Sequence, residues 1–265
     1  CFASCINCPM EIDALVINDF NTTEQAENYP LGEWYEYEEV DDASNFSGLS
    51  QVPTDSDSPA MLHYWSIVRD LPWGGYTGIF DIFETPLDLS DYNNLSFRFK
   101  NMEAPSPYND EVPDVEFRII LWDISDVSGE YSTRADVETW WAFFKPDAGE
   151  SPIMHPTESG VSEVGWVEFK IPLVDNGRSD DAGGYRDGFA NPGVGWGVSI
   201  AGNDQFDIDQ IGGIAIEVVS AGGFAVTSGS YLIDDIQAIY TTDVPGCTDA
   251  TACNFNPDAT LDDGS

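Results

Sequence analysis

Apolar residues recur at every second position over several stretches of this chain, and no long stretch repeats them at helical spacing. Leu95, Phe97 and Phe99 alternate with Ser96, Arg98 and Lys100. Val115, Phe117, Ile119 and Leu121 alternate with Glu116, Arg118, Ile120 and Trp122, and Val167, Phe169 and Ile171 with Trp166, Glu168 and Lys170. Successive side chains of a strand leave on opposite faces, so a period of two marks strands with one buried face. Further strands are expected at 12–20, 33–40, 61–68, 76–84, 138–145, 196–201, 212–219 and 230–240. Turn-rich runs such as SQVPTDSDSP, NMEAPSPYNDEVP, KPDAGESPIMHP and DNGRSDDAGGYRDGFANPG separate them. About ten strands with loops at both ends predict an all-β chain, a β-sandwich, jelly roll or similar.

Composition supports a folded chain and narrows its partners. Hydrophobic residues make up 42% and aromatics 13% of 265 residues, enough for a substantial core. Against 48 Asp+Glu stand 9 Lys+Arg, a formal charge of −39. Such a surface repels nucleic acid and anionic membranes, both of which need cationic contacts. It attracts divalent cations and tolerates salt, which fits a saline or marine habitat. No stretch approaches the ~20 apolar residues of a helical membrane span, so no membrane insertion of that kind is expected. The first ten residues carry no signal peptide, so for a secreted chain that signal would lie upstream or have been removed.

All five cysteines sit at the two ends: Cys1, Cys5 and Cys8, then Cys247 and Cys253. Terminal cysteines favour an oxidising compartment, and an odd number points to a partner thiol outside the chain. Cys247 and Cys253 are close enough in sequence to bridge. The spacing C-x3-C-x2-C at the start carries one bridge and leaves one thiol over; a zinc site is the weaker reading, since no histidine or fourth ligand accompanies it. The run GCTDATACNFNPDATLDDGS at 246–265 resembles a Cys/Asp/Asn-rich motif of large secreted proteins from Bacteroidetes-type bacteria, where "DDGS" is usually followed by Cys. That resemblance implies one unit of a longer modular chain whose ends complete each other. Chance ends and a lipoprotein cleaved before Cys1 are the other two readings. The expected organisation is a Cys-rich arm at 1–11, a β domain at 12–240, and a linker with a Cys/Asp-rich tail at 241–265.

Four landmarks stand in order within the β domain: LVINDFN at 15–21 with Trp34 after it, GGYTGIFDIFETPLDLSDYNNLSFRFKN at 74–101, GWVEFKIPL at 165–173 and YLIDDIQAIY at 231–240. Together they resemble the galactose-binding-like jelly rolls, in particular family 11 carbohydrate-binding modules and the related complex I intermediate-associated-type domains. The resemblance spans residues 12–240. It implies the fold, a glycan held in a concave cleft in some members, and often a structural calcium. Fold alone does not fix the ligand.

The alternation places candidate ligand residues. With Phe97 and Phe117 facing the core, Arg98 and Arg118 face outward, read here as outward from the same sheet. Trp122 shares the Arg118 face, and ETWWAFFK brings Trp140 or Trp141 to it according to register. Sugars are held by aromatic stacking on their C–H faces and by bidentate hydrogen bonds to vicinal hydroxyls. A groove of Arg98, Arg118, Trp122 and Trp141 has that chemistry. Ion pairing of the arginines with carboxylates such as Glu116 and Asp81, over core tryptophans, is the competing account. A second aromatic set, Trp34, Tyr35, Tyr37, Trp65, Trp73 and Tyr76, reads more simply as packing, though Trp73 and Tyr76 are kept as ligand candidates. Trp166 likewise reads as core.

Calcium suits the abundant hard oxygen ligands. Asp19 would adjoin Asp234 and Asp235 if first and last strands pair, which is where the resemblance implies an ion. Asp249, Asn254, Asn256, Asp258, Asp262 and Asp263 form an oxygen-rich tail, and TDSDSP at 54–59 is a third place. None has EF-hand spacing. No catalytic motif occurs: His63 and His155 stand far apart, and there is no G-x-S-x-G, H-E-x-x-H or P-loop. The expectation is therefore not an enzyme but a non-catalytic module of a secreted bacterial surface protein, binding a polysaccharide or cell-surface glycan. The alternatives are a structural subunit of an extracellular filament or array, joined to neighbouring units through its Cys-rich ends, and an ancillary domain of a polysaccharide-degrading enzyme.

Overall fold

The computed structural model describes residues 14–20, 35–38, 46–53, 59–68, 75–106, 115–124, 137–144, 166–180, 185–194, 202–220, 226–242, 245–246 and 261–262. Two antiparallel sheets lie face to face. The first has the order β3-β4-β11-β6-β9, with β1 also paired to β11. Its strands are β1 (Leu15–Asn18), β3 (Phe46–Pro53), β4 (Pro59–Val68), β6 (Asn94–Ser106), β9 (Val167–Pro172) and β11 (Val226–Ile239). The second has the order β2-β5-β10-β7-β8, built from β2 (Tyr35–Glu38), β5 (Gly75–Leu87), β7 (Val115–Ile124), β8 (Val137–Phe144) and β10 (Ile211–Ser220). A two-residue pair, β12 (Pro245–Gly246) with β13 (Leu261–Asp262), stands apart. This is the expected all-β sandwich.

The alternating residues meet between the sheets. Leu95, Phe97 and Phe99 of β6 and Phe169 and Ile171 of β9 face Phe117, Ile119 and Leu121 of β7 and Trp140 and Phe144 of β8, all fully buried. The rings form a continuous set: Phe99 stacks on Tyr231 at 4.9 Å and meets Phe117 and Phe144 edge-on at 5.2 Å each. Such offset and edge-to-face contacts add to the gain from burial itself. His63 donates to or accepts from Tyr231 Oη at 2.8 Å within this core, and burial pushes its imidazole down to about 3, so it is neutral at ordinary pH.

Three expectations change. The pattern predicted no strand over 46–53, but β3 pairs with β4 there. Its sequence FSGLSQVP has little alternation and ends in proline, which suits the sheet edge it occupies. β6 runs on to Ser106, into a stretch read as turn. The third correction bears on the site: β6 and β7 lie in different sheets, so Arg98 and Arg118 are on opposite outer faces of the sandwich. The strand expected at 196–201 lies outside the described residues.

Candidate functional site

On the outer face of the second sheet the register builds cross-strand rows. One holds Phe80, Ala215, Ile120 and Trp141; the next holds Ile82, Gly213, Trp122 and Thr139. A third places Glu217 beside Arg118, with Gly78 on one flank and Phe143 on the other, and a fourth runs Tyr76, Val219, Glu116. Large rings therefore stand on β5, β7 and β8, and Gly213 and Ala215 keep the central strand β10 low between them. Gly213 is required there: a Cβ would meet Trp122 Cε3 at 2.7 Å and the Asp81 carbonyl oxygen at 2.8 Å. The glycine lets the Trp122 ring lie across the sheet, where it meets Phe80 edge-on at 6.0 Å. A slip in pairing between Ile211 and Gly213 marks the same spot.

Arg118 is the one guanidinium of these rows. Its Nη2 donates to Glu116 Oε2 at 3.1 Å and its Nη1 to Glu217 Oε1 at 3.4 Å. The group lies over the Trp141 ring at 4.4 Å. Sequence reasoning named Glu116, Trp122 and Trp141 around it. It missed Glu217, although IGGIAIEVVS alternates Ile214, Ile216 and Val218 inward and Glu217 outward. Asp81, the other expected partner, takes an inner register position with Ile214 and Leu121 instead. The face is not an open groove. Trp122 and Trp141 are 7% and 5% exposed, and Arg118 is 7% exposed. Tyr76, Phe80, Ile82 and Glu116 are the half-buried members that meet solvent.

Arg98 stands on the other outer face. Its Nη2 donates to Asp234 Oδ2 at 2.6 Å, and its Nε lies 2.6 Å from Asp235 Oδ2 as an ion pair without hydrogen-bond alignment. It covers the Trp166 ring at 4.9 Å. Trp166, expected in the core, packs outside it against Ala60, Leu62 and Leu232. Burial and then the Asp235 charge raise Asp234 to about 6, opposed by the Asp235 N–H and Arg98. β1 does pair with β11, Leu15 opposite Ala238 and Asn18 opposite Ile236, and Asp19 follows one residue past β1. Yet the two last-strand carboxylates are held by Arg98, which does not fit them as ready calcium ligands. Among the described residues, no group of three or more His, Cys, Asp or Glu side chains stands at metal-binding spacing. Asp262 is described only as backbone; Trp73, Asp249, Asp258, Asp263 and the cysteines Cys1, Cys5, Cys8, Cys247 and Cys253 lie outside the described residues.

A further set of carboxylates closes one end of the sandwich. Asp123 Oδ2 accepts from Trp140 Nε1 at 2.9 Å and from the Asp207 N–H at 2.8 Å. Glu138 accepts from Asn191 Nδ2 and from the Asn203 and Asp204 N–H groups. Phe206 stacks on Trp140 at 4.7 Å beneath them. Burial, reinforced by Glu138 and Asp207, pushes Asp123 up to about 7. These groups fasten residues 202–210 over the core.

No known family pattern matches this sequence, and no curated protein matches it. Solved structures do. The chain is similar to the family 11 carbohydrate-binding module from Clostridium thermocellum in complex with a β-1,3-1,4-mixed-linked tetrasaccharide, with TM-score 0.52 and 16% identity over 86% of this chain and 96% of that one. It is also similar to the family 11 module of the cellulosomal cellulase Lic26A-Cel5E of the same organism, with TM-score 0.50 and 16% identity over 87% of this chain and 96% of that one. At that identity the likeness establishes the jelly-roll fold.

Proposed function

We propose that this chain is a non-catalytic glycan-binding module of a secreted, cell-surface bacterial protein, and that it binds through the outer face of its second sheet. The observation that carries the reading is Arg118 set between Glu116 and Glu217, over Trp141 and among aromatic rows. Contacts of 3.1 and 3.4 Å to these glutamates are ones that a ligand's hydroxyls can replace. Tyr76 and Phe80, partly open to solvent, would take the C–H face of a sugar ring. Trp122 and Trp141 would form the floor that fixes the guanidinium rather than the stacking surface. The fold likeness to modules solved with, or named for, carbohydrate binding supports the same reading.

Affinity electrophoresis through gels cast with neutral β-glucans, galactans and xylans tests it. The wild-type chain is expected to be retarded by at least one, and Arg118→Ala to migrate as in an empty gel. Free migration of the wild-type chain in every gel, backed by a blank on a broad glycan array, would overturn it. The Cys-rich ends would then make assembly with neighbouring units the better account.

A further inference from the structure

Two backbone irregularities meet where β1 joins β11. Asp235 has φ of 50° and Phe20 has φ of 49°, left-handed values that non-glycine residues adopt at a cost. The pairing of β11 with β6 slips between Asp234 and Gln237, and that of β1 with β11 between Val16 and Asn18. Consecutive residues of a regular strand point to opposite faces. The bulge breaks that rule and turns two consecutive carboxylates onto one side chain. Arg98 Nη2 is 2.6 Å from Asp234 Oδ2, and Arg98 Nε is 2.6 Å from Asp235 Oδ2. The remaining oxygen of Asp234 accepts the Asp235 N–H at 2.8 Å.

Converging carboxylates on a strained bulge, with Asp19 one residue past β1, are the oxygen donors that a hard divalent cation takes. Such an ion needs several oxygens at about 2.3–2.6 Å around one point. Here a guanidinium already touches both carboxylates, and Trp166 lies against it at 4.9 Å. Asp234 is 1% exposed at its side chain, so ions could approach the pair only from the side of Asp235, which is 41% exposed. We infer that Arg98 is the resident cation of this junction, and that the seam between first and last strands closes on a guanidinium in place of a metal.

The test is terbium luminescence sensitised by tryptophan, read on the full chain. Wild type, Asp235→Asn, Arg98→Gln and the double variant are titrated with Tb³⁺. Asparagine tolerates a left-handed φ, so Asp235→Asn removes the charge and keeps the backbone. The expected result is the same emission from wild type and Asp235→Asn, whatever ions bind elsewhere on the chain. Arg98→Gln is expected to gain sensitised emission, and the double variant to lose that gain. Wild-type emission that drops in Asp235→Asn would place a metal at the junction and overturn the inference. A folded Arg98→Gln with no gain would also overturn it, leaving Arg98 an ordinary ion-pair partner. Should Arg98→Gln lose its near-ultraviolet circular dichroism, the comparison of wild type with Asp235→Asn decides by itself.

Discussion

Each outer face of the sandwich carries one arginine set between two carboxylates and one tryptophan, and the two settings differ in slack. On the first sheet Arg98 meets aspartates at 2.6 and 2.6 Å, and a bulge with left-handed Asp235 holds them there. On the second sheet Arg118 meets glutamates at 3.1 and 3.4 Å, one on its own strand and one directly across on β10. The short side chains and strained backbone leave Arg98 one arrangement. The longer glutamates meet Arg118 at greater distances, although its side chain is the more buried of the two arginines, 9% against 28% exposed. The same three groups, a guanidinium, carboxylates and an indole, thus make a close lock on one face and a longer-range hydrogen-bonding cluster on the other.

The largest test of that contrast is Arg98→Ala. It strands the buried Asp234 beside Asp235, and loss of one partner of a buried pair costs roughly 3–4 kcal/mol. Urea unfolding should show that loss with glycan affinity unchanged. If Arg118→Ala costs as much stability, the contrast fails. Asp123 is the reference case, since it is held by Trp140 and a main-chain N–H rather than by an arginine. Its folded value of about 7 lies above the unfolded 3.8, so the folded state keeps a proton that the unfolded state has released. Stability from this group is therefore full below about pH 4, falls as pH rises toward 7, and is flat above. Asp123→Asn should remove about 4 kcal/mol of pH dependence across that window, measured by urea unfolding at several pH values. Gly213→Ala should cost about 1–2 kcal/mol, because its Cβ would press on Trp122 and on a main-chain oxygen that has little room to move. It should also weaken glycan retention, whereas Gly177→Ala, with open space around it but a left-handed φ of 70°, should affect stability alone. Smallest is Arg118→Ala read as affinity: at least a tenfold loss in calorimetric titration with the retarding glycan, about 1.4 kcal/mol.

Period-two alternation carried most of the fold, because a strand buried on one face must alternate. It named the inward residues of β6, β7 and β9 correctly. It was silent for β3, an edge strand whose pairing is made by main-chain groups that any sequence supplies. It could not say which strands share a sheet. Arg98 and Arg118 have the same local pattern, and only the order of strands puts them on opposite faces. The same limit hid Glu217, which matters through its place across from Arg118 and not through its neighbours in sequence. Trp122 was placed on the face it takes, and Trp141 was one of two tryptophans that alternation left open until the register chose between them. Their near-complete burial was not legible, since alternation reports which side a residue takes and not what lies over it.

Antiparallel pairing of β1 with β11 has a mechanical consequence. Leu15 lies opposite Ala238, so the chain enters and leaves this sheet at the same pole. Tension applied between residues 14 and 240 acts across the pair rather than along it. It would peel β1 away one hydrogen bond at a time, beginning at Leu15, instead of loading all of them together. A domain pulled in that direction yields at low force and gradually, extending before its aromatic core is disturbed.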